Sequence, residues 1–156
     1  QMTRWVAFCL VFVVGSATLL TGAADVVEFR KVDYFEVITK NNGEPDEKKR
    51  DARLEIDQDA RMLHVVHEKK GAAEAIYATV AFDDVTAVIY EASKSPRVKS
   101  AIFLSPLALF SSGKKDWLTI EWDGDYAYMR LDKKNQRQIR AALRASGFDV
   151  ETIIDD

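Results

Sequence analysis

Cysteine is almost absent: Cys9 is the single one in 156 residues, and it sits inside an apolar N-terminal run. No disulfide framework and no thiol chemistry can therefore be expected of the remaining chain. Histidine is nearly as scarce, with His64 and His67 alone, and the seven glycines are scattered. No HExxH, no GxSxG and no glycine-rich phosphate loop occurs, which removes the commonest zinc-hydrolase, serine-hydrolase and nucleotide-binding signatures. Positive charge is not in excess either. The formal net charge is −3, against the clearly basic balance of a general nucleic-acid binder. What remains is 47% hydrophobic and 30% charged, ordinary globular composition at a single-domain length.

The first 24 residues are the least ordinary. Gln1 precedes Met2 and reads as a remnant. Met2-Thr3-Arg4 forms a short positive start, and no charge follows from Trp5 to Leu20. Thr21-Gly22-Ala23-Ala24 then places small residues before a cut at Asp25, the layout of a secretory signal peptide. Uncut, Trp5 to Ala24 is about long enough to span a bilayer as an anchor, and Arg4 keeps the N-terminus inside in either case. Cys9 lies too early for lipidation after the small-residue box. The expectation is an exported protein, periplasmic or secreted, with one cysteine-free domain over 25–156. Removal of Arg4 takes its net charge to −4.

Along that domain, β-formers predict a first strand over Asp33–Lys40. The charged, turn-rich stretch Asn41–Asp51 reads as a solvated loop. Arg53–Asp57 and Arg61–His67 form a hairpin with Leu54 and Ile56 facing Leu63 and Val65. Ile76–Phe82 and Val85–Tyr90 are further strands broken at Asp83-Asp84. Trp117–Trp122 and Tyr126–Leu131 flank Asp123-Gly124-Asp125, the clearest hairpin signal. Asp132 is a candidate N-cap and Gly147 a candidate C′ residue for a helix whose Ile139, Ala142, Leu143 and Ser146 share a face. The sum is a mainly β fold of six or seven antiparallel strands, bent or closed into a small barrel and capped by one C-terminal amphipathic helix.

That order resembles a pleckstrin-homology-like (PH-like) fold. Ser105-Pro-Leu-Ala-Leu-Phe-Ser-Ser-Gly-Lys-Lys-Asp-Trp-Leu-Thr-Ile-Glu-Trp122 and Met129-Arg-Leu-Asp-Lys-Lys-Asn135 are similar to segments of uncharacterised exported bacterial proteins with such domains. The resemblance spans about Asp33 to Val150 and implies a binding or scaffolding module. Phosphoinositide binding does not carry over. In the matching loop Lys48, Lys49 and Arg50 are offset by Glu44, Asp46, Glu47 and Asp51, and an exported domain does not meet such lipids.

Four groups of residues are candidates for chemistry. His64 and His67 are three apart, which on a strand sends them to opposite faces and argues against a shared metal. Asp83/Asp84 and Asp123/Asp125 read as turn residues, and Glu55/Asp57 as the outer face of a strand. Lys133, Arg137, Arg140 and Arg144 fall within a helical stripe about 60° wide, a basic ridge for an acidic partner or anionic headgroups. Ala101–Phe110 is near-continuously apolar between basic flanks. Phe103, Leu107 and Phe110 are either core or an exposed patch for a membrane or partner.

The reading that follows is an exported, non-catalytic binding or assembly module, with no catalytic, metal or cofactor residues assigned. Its partner is expected to be a protein or envelope component rather than nucleic acid. Peripheral membrane contact through 101–110 is the alternative, and a hydrolase using acidic residues the least favoured.

Overall fold

A computed structural model describes residues 25–43, 45–69, 71, 75–94 and 113–154. The leader over 1–24 and the apolar stretch with Phe103, Leu107 and Phe110 lie outside the described residues. The described chain is mainly β. In order it contains β1 (Val26–Thr39), β2 (Pro45–Asp57), β3 (Met62–His67), β4 (Ile76–Ala81), a 3-10 turn at Phe82–Asp84, β5 (Val85–Ser93), β6 (Lys115–Trp122), β7 (Asp125–Leu131), α1 (Gln136–Ala145) and β8 (Val150–Ile154).

These strands make one eight-stranded sheet in the order β4-β3-β2-β1-β7-β6-β5-β8. It consists of two antiparallel meanders, β1 to β4 and β5 to β7, joined where Val32, Asp33 and Tyr34 of β1 pair with Leu131, Arg130 and Met129 of β7. Leu54, Ile56 and Leu63 of the first meander share one buried cluster with Leu118, Ile120 and Met129 of the second. A flat sheet could not bring those side chains together, so the sheet folds over on itself. Burying such a cluster supplies the main favourable contribution to folding.

Two hairpins follow the alternation of the sequence. Leu54 lies opposite Val65 and Ile56 opposite Leu63, so a single face of β2 and β3 carries the apolar residues. Leu118 pairs with Met129 and Ile120 with Ala127. The connection between β6 and β7 is Asp123-Gly124, with φ +39° and +78°. Two successive positive φ values are what a type I′ hairpin turn requires, and Asp-Gly meets that requirement at low cost.

Several expectations need correction. The supposed loop over Asn41–Asp51 turns at Lys40–Gly43 and is strand from Pro45 onward. Asp51 back to Pro45 pairs with Asp33 forward to Thr39, extending β1 and β2 as a two-stranded ribbon. Charge hid this segment in the sequence, yet charge also fits it to a ribbon. Arg50 Nη2 lies 2.9 Å from Glu36, Lys49 Nζ 3.3 Å from Asp33 and Lys40 Nζ 3.6 Å from Asp46. Cross-strand opposite charges are favourable pairs.

The helix also starts a turn later than Asp132. Its N-cap is Asn135, with no side-chain cap bond, while Asp132 Oδ1 accepts from the Lys134 amide in the preceding turn. Its far end matches expectation. Gly147 has φ +95°, the Phe148 amide bonds Leu143 O and the Gly147 amide bonds Arg144 O. That is a Schellman ending. The chain then adds β8, parallel to β5, so eight strands are described and the helix is followed by a strand. Val-Glu-Thr-Ile-Ile is too short to announce itself, and its partner is distant in sequence.

Candidate functional site

The feature that shapes the site is a bulge in β1. Phe29 faces Leu54 and Val32 faces Ala52, so Arg30 and Lys31 together oppose Arg53. The extra residue lets Phe29 and Val32, three apart, both point into the core, where strict alternation would have turned one of them out. Lys31 absorbs the distortion with φ +57°, a left-handed conformation that costs a non-glycine residue about 1 kcal/mol. Two distant groups hold it there. Glu68 Oε2 accepts from the Lys31 amide at 3.2 Å, and the Asn135 side-chain amide donates to Arg30 O. A strained residue persists only where its surroundings fix it in this way.

Beside the bulge, at the seam between the meanders, opens a cleft of about 460 Å3. Its cations are Lys31, Lys115, Arg130 and Lys133, and its anions Asp33, Asp51, Glu68, Asp116 and Asp132. The size suits a small ligand. All five carboxylates already face a donor or cation. Asp33 Oδ2 accepts from Arg130 Nε at 2.9 Å and its Oδ1 faces Lys49. Asp51 lies 3.8 Å from the same Lys49. Asp116 accepts the Tyr90 hydroxyl, Glu68 takes the Lys31 amide and Asp132 the Lys134 amide. The ammonium groups of Lys31, Lys115 and Lys133, by contrast, make no ion pair among the described residues.

Tyr90 ties the cleft to the helix. Its hydroxyl donates to Asp116, and the Arg140 guanidinium carbon stands 4.1 Å from its ring centroid, a cation–π contact. Burial, then the hydrogen bond to Asp116, pushes the Tyr90 phenol up to about 12. On the sheet face opposite the core, Trp117 and Tyr128 stack at 5.1 Å, with Phe35 5.7 Å from each. Burial raises the Tyr128 phenol as well. The Trp117 Nε1–H and the Tyr128 hydroxyl are both buried, with no hydrogen-bond partner among the described residues.

The basic residues singled out by the sequence are dispersed. Lys133 is exposed at the cleft, in the turn before α1, and Arg137 is exposed on the helix. Arg140 is half-buried on Tyr90, with Nη2 donating to Gln136 at 2.7 Å, and Arg144 Nη2 lies 3.3 Å from Thr152 on β8. His64 Nδ1 meets Thr79 Oγ1 at 3.0 Å, while His67 Nδ1 accepts from the Lys69 amide at 3.1 Å and its ring neighbours Tyr77. No group of three or more His, Cys, Asp or Glu is placed to hold a metal among the described residues. Asp83 pairs with Arg61 at 2.8 Å, Asp125 accepts from the next amide, and Glu55 pairs with Arg53 at 2.7 Å. None of the described helices is long and apolar enough to cross a membrane.

Sequence reasoning missed Lys31, Arg130 and Asp33, and took Lys115 only as a basic flank of the apolar stretch. They come from three strands and have no common period. The one available signal was the three-residue spacing of Phe29 and Val32, which breaks strand alternation.

No protein-family model matches the chain, and no curated protein matches it significantly.

Proposed function

We propose that this chain is an exported, non-catalytic binding module whose ligand seats in the cleft beside the β1 bulge. The observation that carries the reading is Lys31. A left-handed lysine is pinned from two sides at the rim of a charged cleft, and bulges of this kind commonly re-aim a side chain beside a functional site. The non-catalytic part of the reading is supported by the cleft's acids, each of which is engaged by an internal donor or cation.

A PH-like architecture is part of the same reading. Two antiparallel meanders meet through β1 and β7, and an apolar-faced helix follows β7 with Ile139 and Leu143 in the core. That arrangement supports a bent sheet with one open end plugged. Export is supported by the charge, apolar run and small-residue box of residues 2–24.

The test is affinity capture from envelope extract with the tagged protein and an Arg130→Ala, Lys133→Glu double variant. The same component should be enriched by the parent and lost by the variant, with the variant's melting curve showing it folded. Equal recovery by both would contradict the cleft as the binding site.

A further inference from the structure

We infer that the outer face of the sheet, at Trp117, Tyr128 and Phe35, is the docking surface for this chain's own apolar segment 101–110. The segment lies outside the described residues, and it is the face that calls for a cover. This surface is opposite the core, so the inference stands whether or not the cleft binds a ligand.

Glu91 pairs with Trp117, Ser93 with Lys115 and Thr119 with Tyr128, so these side chains share one side of β5, β6 and β7. Tyr90, Leu118 and Met129 share the other side, with the core. The side without the core is nevertheless shielded from water. Trp117 is 2% exposed, Tyr128 4% and Ser93 0%. A sheet face open to solvent leaves large side chains partly wetted. The described helix is not the cover, since α1 puts Ile139 and Leu143 into the core. The strands all belong to the one sheet. These are exposures within a single chain, so a second copy or a membrane has little left to bury. Two polar groups point the same way. The Trp117 Nε1–H and the Tyr128 hydroxyl are buried with no hydrogen-bond partner among the described residues. Buried polar groups are normally met, and main-chain carbonyls of a covering segment can meet these two without bringing charge.

Connectivity then selects the segment. The chain leaves the sheet after Ser93 and re-enters at Lys115, and these two residues are directly paired beside Trp117. The leader enters instead at Val26, which pairs with Asp57 at the end of β1 away from Phe35. Ten extended residues reach about 35 Å, whereas β6, β7 and β1 side by side span about 10 Å. Ala101-Ile-Phe-Leu-Ser-Pro-Leu-Ala-Leu-Phe110 carries no charge, which suits contact with stacked aromatic rings.

The experiment uses the full chain with Trp5→Phe and Trp122→Phe, which leaves Trp117 as its only tryptophan, and a second form that also lacks 95–112. Because Ser93 and Lys115 are paired, the deletion leaves Lys94-Gly113-Lys114 as a hairpin connection of ordinary length. The intact form should emit in the blue and be weakly quenched by acrylamide at every protein concentration. The deleted form should keep the circular dichroism of the sheet while its emission moves to the red and quenching rises several-fold. If the deleted form does not fold, p-benzoylphenylalanine placed at Phe35 of the intact chain gives a second measurement. Irradiation should join it to the tryptic peptide 100–114 of the same chain, identified by mass spectrometry. Unchanged Trp117 quenching in a folded deleted form overturns the inference, as does irradiated protein with no adduct on 100–114. Quenching that rises when the intact form is diluted, with adducts joining two chains, would assign the face to a second copy and overturn it. Protection of Trp117 that appears only with phosphatidylglycerol vesicles would overturn it in favour of a membrane.

Discussion

Burial keeps several phenols neutral beyond the pH at which a free tyrosine ionises, Tyr90 and Tyr128 most of all. Tyr90 is pushed up to about 12, against an unfolded value of 10.0. Between those values the unfolded chain releases the proton and the folded chain keeps it. The folded state then binds more protons, so stability falls as pH rises through that window and is unaffected by this group below it. Tyr128, whose phenol is raised by burial, adds to the same slope. Of the five tyrosines, Tyr34 and Tyr126 are also raised by burial, though less far, and Tyr90 and Tyr128 should be the last to ionise. Absorbance at 295 nm during an alkaline titration, followed beside circular dichroism, reads this directly. All five ionising together near pH 10 in folded protein would refute it. A Tyr90→Phe variant should lose less stability than the parent between pH 10 and 11.5.

At the scale of elements, α1 is anchored by Ile139 and Leu143, both fully buried, and closed by Phe148, whose ring meets Phe82 edge-on at 5.0 Å. Leu143→Ala and Phe148→Ala should each destabilise the protein, the first by about 2–5 kcal/mol as a fully buried truncation and the second by less, since Phe148 is only partly buried. Gly147→Ala should cost roughly 1 kcal/mol because its backbone is left-handed. Thermal melts of all three check the claim, and curves matching the parent would mean that the helix is not docked through these contacts. This end of the helix was legible because Gly147 and the Ile139–Leu143 spacing are local signals. The start was not, because Asp132 caps a turn and Asn135 begins the helix. Likewise Asp123-Gly124 and the alternation around Leu54 and Leu118 revealed their hairpins, whereas β2's charged half had no apolar period to reveal it. Its strand character comes from pairing with β1, a partner that propensity alone does not supply. The cleft was least legible, since it exists only where β1, β2, β6, β7, the residue after β3 and the turn before α1 converge.

For the whole molecule, β1 is the decisive strand. It pairs with β2 along most of its length and with β7 at Val32, Asp33 and Tyr34, and no other strand among the described residues joins the two meanders. The core cluster is shared across that seam. The halves should therefore unfold in one transition, seen as coincident urea curves for tryptophan fluorescence and circular dichroism. Two separated transitions would mean that the meanders are independently stable.

Ligand binding at the bulge cleft, as proposed, would order the backbone around it. Backbone hydrogen exchange, measured with and without the component captured from envelope extract, tests it most directly. Added protection should concentrate at Lys31–Asp33, at Lys115–Asp116 and at Arg130–Lys133, with the edge strands β4 and β8 unchanged. Protection confined to β4, β8 or the exposed side of α1, with those three segments unaltered, would contradict it.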